Sequence, residues 1–105
     1  MPMWNLYPEW GWGTDDSAQA LALLNRFGSV TVLNGHIHQI QQKVEGHVTF
    51  HPARSTAYPQ PAAGTAPSPG PLAVPAERLR SMLGLTSVRV NSRTGPLALV
   101  DTTLS

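Results

Sequence analysis

The chain has 105 residues, a net charge of +1 and no cysteine, which excludes disulfides, zinc ribbons and thiol catalysis. That charge gives no electrostatic case for nucleic acid or an anionic membrane, and no apolar run approaches the ~18 residues of a membrane span. The length allows one domain or part of one, and a charged fraction of 12% with ten prolines and nine glycines favours irregular structure between short elements.

Residues 1–13 are rich in Trp and Gly, with Trp4, Tyr7, Trp10 and Trp12 interleaved by Pro8, Gly11 and Gly13. Such a cluster is costly unless it packs, and it reads as a loop burying its indoles, an aromatic wall beside a pocket, or a surface awaiting a partner. The N-terminus has neither a basic start nor an apolar stretch and does not read as a secretory signal. Thr14 is a good N-cap, with Asp15 and Asp16 placed to complement a helix dipole. Ala18, Leu21, Leu24 and Phe27 recur at helical spacing before Gly28, which predicts an amphipathic helix over 15–27.

Ser29–Leu33 reads as a strand apolar enough to be central in its sheet, running into Asn34-Gly35-His36-Ile37-His38-Gln39. The two imidazoles converge at a strand end, where α/β architectures place ligands. Neutral imidazole suits zinc, iron and manganese, so two from one short loop make half a metal site, with paired surface or core histidines as the plainer reading. Gln39–Val44 and His47–His51 read as strands joined by a turn at Glu45-Gly46. His47 reads as solvated, and His51 either approaches the metal edge or caps its strand. Arg54 either clamps a phosphate bidentately or bonds loop carbonyls. Residues 54–75 form a Pro-rich loop laid over a surface or serving as a linker. Pro75 starts a short helix, Ala76–Leu83, that ends at Gly84. Ser87–Val90 and Leu97–Asp101 read as strands joined by Arg93-Thr94-Gly95. Nothing catalytic is visible beyond residue 61, and the scattered arginines read as a solvated face.

The run from Asn34 to Gln39 resembles the last metal-binding motif of the calcineurin-like metallophosphoesterases. The likeness continues through Lys43-Val44-Glu45-Gly46, Val48-Thr49-Phe50-His51 and Ala53-Arg54-Ser55-Thr56-Ala57-Tyr58-Pro59-Gln60-Pro61. It also reaches Tyr7-Pro8-Glu9-Trp10-Gly11-Trp12-Gly13-Thr14, and so covers most of the chain, as the C-terminal region of one bacterial subgroup. The resemblance implies an α+β fold: the C-terminal part of a four-layer αββα sandwich, with mixed and antiparallel strands, two short helices and the long Pro-rich loop. It implies that His36 ligates one metal and His38 the other, that Gly35 keeps the turn tight, and that Asn34 and Gln39 orient the loop. His51 and Arg54 are the further candidates near metal or substrate. The implied chemistry is hydrolysis of a phosphoester by a pair of manganese, iron or zinc ions. The family's earlier motifs, Asp-x-His, Gly-Asp-x-x-Asp and Gly-Asn-His, have no counterpart among Asp15, Asp16 and Asp101. The chain is therefore expected to be a single partial domain, inactive alone and completed by an N-terminal portion or a second copy; any export address would lie on that portion. The alternative is a non-catalytic binding module that uses the Trp-rich and Pro-rich surface.

Overall fold

In a computed structural model, which describes residues 2, 3 and 8–105, the chain is a small α+β domain with a mixed three-stranded sheet, an antiparallel pair and two short helices. Trp4 and Tyr7 of the aromatic segment lie outside the described residues. Strand β3 (Val48–Pro52) takes the middle of the sheet, between β1 (Val30–Asn34) and β2 (Lys43–Glu45). It is the one strand covered on both faces: Val48, Phe50, His51 and Pro52 are all buried. Strand β1 was expected at the centre, but its side chains are mostly half-buried and Leu33 is largely exposed, as suits an edge. Strand β2 begins at Lys43 rather than Gln39, and all three of its residues are exposed. The turn into β3 falls on Gly46-His47, one residue later than expected, with Gly46 at φ 61°.

Helix α1 spans only Ser17–Ala22. Beyond it the chain tightens into i→i+3 bonds, Leu23 N–H to Ala20 O and Leu24 N–H to Leu21 O, in place of the expected helix to Phe27. The physical reason lies at the end of the stripe: Leu21 packs against Val48 and Phe50, but Phe27 is 45% exposed, so helical propensity gains little tertiary support there. Asp16 occupies the N-cap position without a capping side-chain bond, while Thr14 donates its hydroxyl to the Pro2 carbonyl 2.9 Å away.

Within the Pro-rich loop, Pro59 and Pro61 are buried and Pro67, Pro69 and Pro71 exposed; the Leu72 amide donates to Pro59 O. That is a loop laid on a surface. Helix α2 (Ala76–Met82) follows Pro75, but Gly84 does not merely end it. Gly84 is buried and opens strand β4 (Gly84–Val90), which pairs antiparallel with β5 (Leu97–Thr103). A Cβ at Gly84 would lie 2.5 Å from the Thr102 carbonyl oxygen, so only glycine fits.

The buried apolar set among the described residues is Trp12, Ile37, Val48, Phe50 and Leu83. Met3, Leu21, Val30 and Val32 pack around Val48 and Phe50. The molecule is a slab of 45 × 33 × 16 Å with a radius of gyration of 15.1 Å, where a compact chain of this length gives about 13 Å. Among the described residues no helix is long and apolar enough to cross a membrane.

Candidate functional site

The parallel pairing of β1 with β3 builds the site. Its register sets Asn34 against Pro52, so both strands deliver their C-terminal ends to the same edge. Ala53 N–H extends the ladder to Asn34 O at 2.8 Å. The segments leaving that edge, 35–42 from β1 and 53–58 from β3, therefore emerge side by side. This is the crevice beyond strand ends where such sheets place ligands. The antiparallel pair closes one flank, since the Gly84 amide donates to Ser55 O at 3.1 Å.

His36, His38, Arg54, Ser55, Thr56 and Thr86 line one cleft of about 370 Å³ at this edge. Both histidines hold left-handed backbone, φ 80° at His36 and φ 59° at His38. Gly35, expected to supply the tight turn, is not the residue with positive φ, and the space around its Cα is open. Two side-chain-bearing residues of one loop thus hold a backbone that favours glycine, although Gly35 lies next to them. Such strain persists only where surrounding structure enforces it, and it concentrates at functional sites.

The enforcement is visible. Asn34 Nδ2 donates to Gly35 O at 2.9 Å, and Gln39 Nε2 donates to Pro61 O at 3.0 Å and Ile37 O at 3.3 Å. Ile37, between the histidines, is fully buried and anchors the loop. Asn34 and Gln39 therefore bond the loop backbone at its two ends. His38 Nδ1 lies 2.8 Å from Tyr58 O, with the two rings 4.6 Å apart. A carbonyl only accepts, so Nδ1 donates, and in the neutral ring the lone pair sits on Nε2. That is the arrangement of a metal-binding imidazole, whose far nitrogen is fixed by a backbone carbonyl. Neither His38 Nε2 nor His36 has a hydrogen-bond partner among the described residues.

His51 takes a different part. It is buried, and its Nε2 meets both oxygens of Asp101, at 3.1 and 3.0 Å. Thr86, the cross-strand partner of Asp101, donates its hydroxyl to the same carboxylate. Burial works to raise the Asp101 pKa, but the Thr86 and His51 hydrogen bonds, with the His51 and Arg54 charges, outweigh it and hold the carboxyl below its usual range. This pair ties β3 to β5. Beyond residue 61, where nothing catalytic is visible in the sequence, Thr86 lines the cleft and Asp101 stands beside it through Thr86. His51 Nδ1 and Asn34 Oδ1 are both buried without a partner among the described residues, and both residues line an adjoining cleft of about 350 Å³. His47, expected to be solvated, is half-buried with its Nε2 likewise unpartnered.

The donor set fits half of a metal centre. Two imidazoles face one cleft, but among the described residues no three His, Asp or Glu side chains come together to hold an ion. Comparisons with protein-family models, with curated proteins and with solved structures returned no match.

Proposed function

We propose that this chain carries the histidine end of a metal-dependent phosphoester hydrolase of the calcineurin-like type. In this reading the remaining ligands come from another segment or another copy. One observation carries the reading: His36 and His38 are held in strained left-handed backbone facing one cleft, with His38 Nδ1 fixed by Tyr58 O so that Nε2 is presented. The thin slab, its small buried set and the edge position of β1 support membership in a larger layered sandwich. Divalent ions bound there would activate water and neutralise charge on the phosphoryl oxygens. The chain's own residues hold the imidazoles in place: Asn34 and Gln39 fix the loop backbone, Tyr58 fixes the His38 tautomer, and Ile37 anchors the turn.

The test is Mn2+ titration of the purified chain by electron paramagnetic resonance, alongside hydrolysis of bis-p-nitrophenyl phosphate. The expected result is weak Mn2+ binding that disappears in a His36→Ala, His38→Ala variant, with no turnover above that variant. Binding that survives the double substitution would sink the metal assignment. Robust turnover by the chain alone would sink the view that ligands are missing.

A further inference from the structure

We propose that Arg54 and Ser55 form an oxyanion cradle that holds the phosphoryl group of a substrate without any metal. The choice of a phosphoryl ligand rests on the phosphoesterase reading above; the anion site itself rests on geometry. Arg54 lines both the histidine cleft and a second cleft of about 270 Å³ that it shares with His38, Gln39 and Met82. Its guanidinium makes no hydrogen bond or ion pair with any described residue, although it is only half exposed. The Asp101 carboxylate feels the Arg54 cation but is already engaged by His51 and Thr86. Five planar N–H donors are thus held in a cleft with no acidic residue in its lining.

The stem of Arg54 is positioned by the glycine that opens β4. A Cβ at Gly84 would meet Arg54 Cδ at 3.3 Å, so the bare backbone there lets the side chain lie across the strand and reach the cleft. Ser55 is held more firmly still. Its carbonyl accepts from Gly84 N–H at 3.1 Å, and its Oγ accepts from Ala57 N–H at 2.9 Å and Tyr58 N–H at 3.4 Å. A hydroxyl with both lone pairs engaged keeps only its proton to offer, so Ser55 is left as a pure donor at the cleft. Thr56 adds a second hydroxyl to the lining. Guanidinium fork plus hydroxyl donors, with no carboxylate in the wall, is the chemistry that recognises a tetrahedral oxyanion. The same turn unites this cradle with the metal-facing imidazole: Tyr58 bonds Ser55 through its N–H and His38 through its carbonyl.

The experiment is calorimetric titration of the full chain with inorganic phosphate in the presence of a chelator, with acetate as a second ligand. Phosphate should bind saturably with a Kd on the order of millimolar. Arg54→Gln should weaken it at least about tenfold, and Arg54→Lys by less, because the point charge remains while the fork is lost. Acetate, with fewer oxygens, should bind more weakly than phosphate. Absence of phosphate binding up to roughly 10 mM overturns the cradle. So does phosphate binding undiminished in Arg54→Gln, or in Arg54→Lys should the first variant fail to fold. Acetate binding as tight as phosphate overturns the phosphoryl assignment. Mn2+ titration of the same samples separates the two readings: phosphate binding without Mn2+ binding sinks only the metal centre, and the converse sinks only the cradle.

Discussion

The backbone at His36 gives a test whose sign runs against ordinary experience. At φ 80°, a residue with a Cβ pays about 1–2 kcal/mol relative to right-handed backbone. Glycine escapes that cost, but its greater freedom in the unfolded chain costs it about 0.5–1 kcal/mol relative to alanine. In a helix or strand, alanine is the more stable replacement; at residue 36 the order should invert. His36 is exposed and has no hydrogen-bond partner among the described residues, so both variants remove the same small set of interactions. His36→Gly should therefore exceed His36→Ala by about 0.5–1 kcal/mol. For a domain of this size that corresponds to roughly 2–8 °C in Tm. Thermal unfolding at neutral pH, followed by circular dichroism, measures it directly. Equal melting points, or a more stable alanine variant, would mean that the left-handed turn is not enforced by the fold, and the inference from strain to function would fail with it.

Two further outcomes follow from the flank of the site. Asp101→Asn removes the charge paired with buried His51 and should cost about 1–2 kcal/mol, toward the low end because the carboxylate is a quarter exposed. The Asp101 pKa is lower folded than unfolded, so the unfolded chain binds the proton more readily. Its contribution is complete above the ordinary value of 3.8 and is lost as pH falls through the lowered folded value. The Asn variant should show a flatter acid limb in a plot of Tm against pH; an identical limb refutes the linkage. Gly84→Ala forces a Cβ to within 2.5 Å of Thr102 O and should cost at least about 2 kcal/mol while shifting the β4–β5 register, seen as lost amide protection at Thr102 and Thr103. A variant as stable as the parent would show that the strand can yield there.

Strand positions were legible within a residue or two where apolar residues alternate or run together, as in Val30–Leu33, Val48–Phe50 and the pair Leu97–Val100. Strand order was not, because Ser29–Leu33 reads as apolar as any central strand. What displaced it was the burial of Val48, Phe50, His51 and Pro52 on both faces of β3, which depends on what packs above and below. The helix from 15 to 27 stopped short for the complementary reason: its periodicity is real, but Phe27 at its end stays largely uncovered. At the site, the His-x-His loop and its Asn34 and Gln39 braces could be read locally, since all lie within six residues. Asp101 could not, being fifty residues from His51 in the chain. The one available signal was an acid set inside an apolar strand opposite Thr86, and nothing local says where that acid points.

The parallel ladder between β1 and β3 has a consequence for the order in which the molecule assembles. The β2–β3 hairpin joins neighbours through the short Gly46-His47 turn, an event on the order of microseconds. Strand β1 meets β3 only after the whole histidine loop has been closed, with Val30 aligned to Val48. The loop that carries both imidazoles is thus organised by the later pairing. In hydrogen exchange, the amides of 30–34 and the loop should open at lower free energy than those of β3. The histidine loop is then held only as firmly as an edge strand, and anything that bound there would also hold β1 to β3.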